Sequence, residues 1–493
     1  MKNMKNMKNM KNRELLLDVI GDTDEKLIPD LSPKRKPNRF LKWAAVGGVC
    51  AAAVIACVIV FPKAGKDKPL YIVSDKATVL AEAEYPEMPV YPDAAADPDG
   101  KSYDAAYNAW DKARTALRNQ PKGYQDGFND FFLSSTGVFL NQNKSDNQAY
   151  SPLSLYMALG MSAEITDGNT RRQILDALHQ SDIKTLRSHS KSIWQANYAD
   201  DGLAKCVLAN SLWTNNRMSY KKDTVGRLAD TYYSSVFSGD PASGEYNKML
   251  QNWINQQTDG LLEDYASNVQ MNPRMVLTLA STVNYSGKWT DPFLSNDTKQ
   301  STFHAASGDI KCDFMNAYQI ADYSWGDHFS SISLPLQNNG HMKLILPQEG
   351  YSPADLLGDK QVNKLLVSNG NYSKTKSPMV TLSIPQFDVS STINLSDGLN
   401  ALGITDIFDA EKSDFTPLTD STDKIYLSKA EQNTRVLIDE EGCKAASVTV
   451  LNYEGMGASI DHVEFTLDRP FIFEIMSETG LPLFVGIVNH PVQ

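Results

Sequence analysis

Nineteen consecutive uncharged residues, Trp43 to Phe61 (WAAVGGVCAAAVIACVIVF), divide this 493-residue chain into parts that cannot share one core. Wound as a helix at about 1.5 Å per residue, the run reaches roughly 28 Å, close to the thickness of a bilayer's hydrocarbon layer. The pattern therefore predicts one membrane-spanning helix over 43–61. The run is longer than the apolar core of an ordinary signal peptide and begins more than forty residues into the chain, which favours an uncleaved anchor over a leader. Lys34, Arg35, Lys36, Arg39 and Lys42 lie just before it, and Lys63, Lys66 and Lys68 follow. By the positive-inside rule the N-terminus is expected in the cytoplasm and the body outside, a single-pass arrangement at the cell membrane with an extracellular domain.

Charge divides at the same place. Residues 1–42 carry 11 Lys/Arg against 6 Asp/Glu, whereas 43–493 carry 36 against 53, leaving +5 before the run and −17 from it onward. A body so acidic excludes a general nucleic-acid partner, which would need a basic face to displace counterions. The first twelve residues are four copies of Met-Lys-Asn, with no apolar face to bury. Residues 63–101 are rich in Pro, Ala, Asp and Lys and read as a solvated stalk. Tyr103, Tyr107, Trp110 and Leu117 then mark one face of a short helix over 102–118 that should pack against something. Dense apolar patterning begins at Tyr124. The expected organisation is a basic tail 1–42, a span 43–61, a stalk with its helix 62–123 and a single folded body 124–493.

Within the body, helical patterning at 152–164, 169–179, 224–235 and 246–259 gives way to strand patterning at 205–214, 275–286, 342–347, 378–390, 425–439, 445–451, 462–466 and 470–488. Helices gathered early and strands late predict an α+β fold and not a regular βαβ alternation. Five cysteines (Cys50, Cys57, Cys206, Cys312, Cys443), with no CxxC pair, are too few and scattered for a disulfide scaffold or a zinc site. The seven histidines form no HExxH, and there is no GxSxG elbow, GxxxxGK[ST] loop or GxGxxG turn. Neither an enzyme, a metal nor a cofactor is expected.

The informative stretch is IDEEGCKAASVTVLNYEGMGASIDH, 438–462. Glu440, Glu441 and Gly442 form a polar pivot. Beyond it Cys443, Ala445, Ser447 and Thr449 alternate with Lys444, Ala446, Val448 and Val450, so the first set shares one face of a strand, and all four are small enough for a tightly packed sheet. Gly455, Gly457, Asn452 and Asp461 around Tyr453 and Met456 then read as a mobile loop. A segment competent to become a buried strand runs directly into a protease-accessible tip.

These residues resemble the serpins, the serine-protease-inhibitor family. FTLDRPFIFEI at 465–475 is similar to the family's C-terminal signature and continues into TGLPLFVGIVNHP at 479–491. NQAYSPLSLYMALGMSAEITDGNTRRQIL at 147–175, LANSLW at 208–213, SGKWTDPF at 286–293, DTKQSTFH at 297–304 and IDEEG at 438–442 fall in family order. The resemblance covers 124–493, and with the predicted anchor it suggests a membrane-anchored member of bacterial type.

It implies three β-sheets flanked by eight or nine helices, with an exposed reactive-centre loop over 440–461. The implied activity is suicide inhibition. A serine protease attacks the loop, and the hinge over 440–450 (Glu440, Glu441, Gly442, Cys443, Lys444, Ala445, Ala446, Ser447) inserts into the main sheet, trapping the acyl-enzyme. Counting fourteen positions from Gly442, as the family pattern implies, puts the scissile bond at Met456–Gly457, whereas counting back from Val463 puts it one residue later, after Gly457; Met456–Gly457 is the expected bond. No Lys or Arg lies between Ala445 and His462, which disfavours trypsin-like enzymes and points to elastase-, subtilisin- or chymotrypsin-like partners. Ser151 and Ser154 match the family's shutter, while Ser281 and Gln432 stand where it has Asn and His. Trp289 falls at its breach. A monomer is expected. The competing expectation is a non-inhibitory binding protein on the same fold.

Overall fold

In the computed structural model, which describes residues 77–93, 102–141, 145–337, 339–443 and 461–491, the helix Pro152–Ile165 is buried at every position except Ala158. Its sequence, PLSLYMALGMSAEI, is apolar all round, and such a helix is stable only in the middle of a core. Its one charge, Glu164, is matched by Arg187 at 2.7 Å and Arg227 at 2.8 Å. Pro152 occupies the first turn, and the Ser151 hydroxyl accepts from the Ser154 amide, a standard helix start.

The main sheet lies against this helix in the order β1 (Ala77–Ala81), β5 (Ser234–Gly239), β4 (Lys205–Asn215), β6 (Leu277–Lys288), β16 (Gly442–Cys443), with the short β3 (Ala199–Asp200) paired to the start of β4. Period-two alternation splits β4 between two cores. Cys206, Leu208 and Leu212 join the large core, while Val207, Ala209 and Trp213 join Phe237, Tyr246, Leu250 and Trp253 beneath the helix Gly244–Gln257.

A seven-stranded sheet runs β12 (Thr375–Lys376), β9 (Asp322–Trp325), β10 (Phe329–Pro335), β11 (His341–Pro347), β18 (Phe471–Met476), β19 (Pro482–Val488), β2 (Gln148–Tyr150). The runs FIFEIM and PLFVGIV are buried throughout, as strands covered on both faces must be. The third sheet is β17 (His462–Thr466), β13 (Met379–Pro385), β8 (Gly308–Ile320), β7 (Lys299–Ala305), and the fourth is the pair β14 (Phe387–Asn394) and β15 (Glu431–Ile438).

The α+β architecture expected from sequence is present, with four sheets and eleven α-helices among the described residues in place of three sheets and eight or nine helices. The additional sheet has a physical origin: among the described residues no ladder joins β6 to β15, so the main sheet is parted there. β6 accordingly stays half-buried along most of its length, whereas its neighbour β4 is buried from Cys206 to Asn215.

Two expectations change upstream of the body. Among the described residues no helix is long and apolar enough to cross a membrane. The helix Tyr103–Arg118 has 16 residues and only Trp110 and Arg114 buried. The expected single-pass location at the cell membrane is therefore corrected and not retained; the run 43–61 on which it rested lies outside the described residues, as does the tail 1–42. The expected stalk is described at 77–93 and 102–123, and there it lies against the body. β1 pairs antiparallel with β5, and the Tyr85 ring sits 5.1 Å from Trp194 and 5.9 Å from Tyr198. Trp110 donates its indole N–H to Asp201 at 2.7 Å, and Arg114 and Arg118 pair with Glu478 at 2.6 and 2.8 Å.

Candidate functional site

The gap between β6 and β15 is bolted by three side chains, Gln432, Ser281 and Ser154, together with the backbone of Ser151. Gln432, on β15, accepts from the Ser151 amide at 2.8 Å and donates to the Ser151 carbonyl at 2.9 Å. Ser281, on β6, donates to the Ser154 carbonyl at 3.1 Å, and Ser154 donates to the Ser281 carbonyl, also at 3.1 Å. The N-terminus of one buried helix thus grips both strands that flank the gap. All four residues line a cavity of about 20 Å³. Ser151, Ser154, Ser281 and Gln432, singled out from sequence, are therefore brought together. The Gln and Ser side chains close a complete hydrogen-bonded network without an ionisable member.

Above the bolt the gap widens into a cavity of about 320 Å³. Val283, Tyr285 and Lys288 line it from β6, and Arg435 and Leu437 from β15. Lys205 and Asp259 pair at its edge at 2.7 Å. Burial pushes the Asp200 carboxyl on the same wall above its ordinary range, with Lys205 pulling the other way. Across the β14–β15 ladder Arg435 holds Asp388 through two bonds, at 2.9 and 2.6 Å.

At the top of the gap the chain leaves β15 and turns. The Asp439 carboxylate accepts from the amides of Glu441 and Gly442 at 2.9 and 3.2 Å, an Asx turn. Gly442 has φ +133°, and a Cβ there would lie 2.5 Å from the Gly287 carbonyl, so only glycine passes this point. Glu440 is clamped by Thr298 at 2.6 Å and Gln386 at 2.7 Å. Trp289, 2% exposed, donates its indole N–H to the Asp439 carbonyl at 2.9 Å, and its amide donates to the Glu441 carbonyl at 3.0 Å. Immediately beyond, Gly442 and Cys443 pair antiparallel with Lys288 and Gly287. The hinge has begun a strand on the free edge of β6.

Of the other sequence-predicted site residues, Lys444, Ala445, Ala446, Ser447, Met456 and Gly457 lie outside the described residues, as does the side chain of Cys443. Asp439, Thr298 and Gln386 were not anticipated. An Asp three residues ahead of a Gly is a turn signal that could have drawn attention to Asp439. Thr298 and Gln386 carry no local signal, because their partner Glu440 is 142 and 54 residues away.

A family model described as Serpin (serine protease inhibitor) matches residues 127–491. The chain is 28% identical over 378 residues to an alpha-1-antiproteinase of Rattus norvegicus, covering 74% of this chain and 88% of that protein. The crystal structure of tengpin, a thermophilic serpin in the native state, superposes with a TM-score of 0.68 at 26% identity, covering 76% of this chain and 95% of that one. Thyroxine-binding globulin in complex with thyroxine superposes with a TM-score of 0.66 at 19% identity, covering 75% and 99%, a likeness of fold alone.

Proposed function

We propose that this chain, which belongs to the serpin family, is a suicide inhibitor of serine proteases whose body spans 124–493. The observation that carries this reading is the strand begun at Gly442–Cys443 on β6, beside a partner strand, β15, to which no ladder joins β6 among the described residues.

Continued residue by residue on insertion, the register Gly442↔Lys288 and Cys443↔Gly287 would set Ala445 opposite Tyr285, Ser447 opposite Val283 and Thr449 opposite Ser281. Opposed residues of an antiparallel pair share a face. Ser281 faces the buried helix through its bonds to Ser154, so on insertion Cys443, Ala445, Ser447 and Thr449 would form the inward set. All four are small. Insertion buries no charge on this face, and Lys444 takes the opposite one.

The serine of the protease attacks the Met456 carbonyl and forms an ester, and the proton passes to the departing amine of Gly457. Freed at that bond, the hinge Glu440 to Ser447 zips down the gap past Trp289 and through the shutter residues, carrying the esterified enzyme with it. Met456 suits an apolar primary pocket, hence elastase-, subtilisin- or chymotrypsin-like targets acting on a monomer. Support comes also from the antiproteinase named among the relatives.

Incubation with a panel of such enzymes should yield a complex that survives SDS, a released peptide beginning at Gly457, and a steep rise in melting temperature of the cleaved chain. Clean cleavage with neither complex nor thermal gain would replace this reading with that of a non-inhibitory binding protein.

A further inference from the structure

The chain passes from β15 to β16 through a two-residue hairpin that its own backbone does not favour. Asp439 and Gly442 pair antiparallel across it, the Asp439 amide donating to the Gly442 carbonyl at 3.2 Å and the Gly442 amide to the Asp439 carbonyl at 3.3 Å. The loop residues are Glu440 and Glu441, two adjacent like charges, and neither has a positive φ. The turns that match the twist of paired strands, types I′ and II′, both need a positive φ at the first loop position. Here the positive φ comes late, on Gly442 at +133°. Further support comes from one side chain: Asp439 Oδ1 accepts from the Glu441 amide at 2.9 Å and from the Gly442 amide at 3.2 Å. The carbonyls of Asp439, Glu440 and Glu441 are taken by the Trp289 indole, the Phe293 amide and the Trp289 amide, at 2.9, 3.0 and 3.0 Å. Those partners lie on the segment 289–293 that follows β6, so the turn is fixed to the strand it must extend.

That arrangement holds the start of the hinge in register with both neighbours at once. Gly442 lies opposite Asp439 on one side and opposite Lys288 on the other, so the first residues of an incoming strand are already threaded between the two edges. Register matters because a slip of one residue exchanges the faces of a strand. It would turn Lys444 inward in place of Cys443, and a buried lysine without a partner is costly. We propose that Asp439 is a positioning residue for trapping: its carboxylate presets the hairpin, so that after cleavage the hinge lengthens a strand whose register is already fixed. This role, which rests on the inhibitory reading above, is one of speed, because insertion competes with hydrolysis of the ester. Closing a turn is the entropically opposed beginning of strand pairing, and lengthening the pair is rewarded by each new contact.

The test compares the full wild-type chain with Asp439→Ala and Asp439→Asn, with melting temperature as the folding control. Asparagine keeps an oxygen that can accept the two amides and is at home in such turns, whereas alanine offers none. Before any protease is added, hydrogen exchange at the amides of Glu441 and Gly442 should be faster by about tenfold or more in Asp439→Ala and close to wild type in Asp439→Asn. With an enzyme that wild type traps, Asp439→Ala should consume about fivefold or more inhibitor per enzyme trapped, and Asp439→Asn should restore the wild-type stoichiometry. A merely structural role would lower the melting temperature and leave that partition unchanged. Wild-type stoichiometry in Asp439→Ala, or a defect that asparagine does not rescue, overturns the proposal. Should wild type be cleaved without trapping enzyme, the inhibitory reading fails separately, and the rate at which the cleaved chain gains thermal stability carries the same comparison. A wild type that gains none overturns the proposal as well.

Discussion

An arginine at position 447 would enter the sheet opposite Val283, facing the helix Pro152–Ile165, whose one acid, Glu164, is already held by Arg187 and Arg227. Burying an unpaired guanidinium costs several kcal/mol, and each 1.4 kcal/mol or so is a factor of ten in a partition. Ser447→Arg should therefore raise the number of inhibitor molecules consumed per enzyme trapped by about tenfold or more, because slow insertion lets the ester hydrolyse first. Titration of residual protease activity measures it, and unchanged stoichiometry would refute the inward assignment of this face. The alternation of small residues behind this prediction is legible in sequence, since a strand's side-chain period of two needs no partner to be read. The shutter was legible only through family resemblance. Gln432 and Ser151 are 281 residues apart, and neither side chain announces a partner locally.

At the scale of elements, the largest surprise lies in HMKLILP and FIFEIM, strands β11 and β18, each with one charge in an apolar run. A lone charge in such a run reads as an outward residue. Register puts Lys343 directly opposite Glu474, both buried, 3.0 Å apart, with the ammonium also donating to the carbonyls of Leu365, Leu366 and Ser368 at the end of the helix Lys360–Leu366. Burial pushes the Glu474 carboxyl from its ordinary 4.5 up to about 7, against the pull of Lys343. Between those values the native protein holds a proton that the unfolded chain has already released, so this group costs stability as pH rises through that range. His341, which burial brings down to about 4, acts in the opposite sense, and a comparison in which it is common to both chains isolates Glu474. Relative to wild type, Glu474→Gln should gain up to about 3 kcal/mol as pH is raised from about 5 to about 7.5. Urea unfolding at a series of pH values measures the difference; a parallel pair of curves would mean that Glu474 stays ionised throughout. Other elements escaped the sequence for the opposite reason. The long hairpin of β7 and β8 has exposed polar residues along much of its length, so no hydrophobic alternation marks it. The single strand expected over 378–390 is two, divided at Gln386, whose side chain is spent on Glu440.

For the molecule as a whole, the segments 77–93 and 102–118 are docked on the body. Tyr85 covers Trp194 and Tyr198, β1 occupies the edge of β5, and Trp110 and Arg114 satisfy Asp201 and Glu478, which are otherwise left with lost partners. A chain beginning at Asn119 should fold with a melting temperature lower by about 5 °C or more, read by circular dichroism. Equal melting of the two chains would show the segment to be energetically idle. By itself the sequence determined the α+β class, the central apolar helix and the buried C-terminal hairpin, because each is written in the periodicity of neighbouring residues. Only the tertiary structure decided that the main sheet is parted between β6 and β15 and that the hinge has already engaged β6 through Gly442 and Cys443. Those are facts of register between segments a hundred or more residues apart, and pairing at that distance is set by the packing of the whole and not by any local run of side chains.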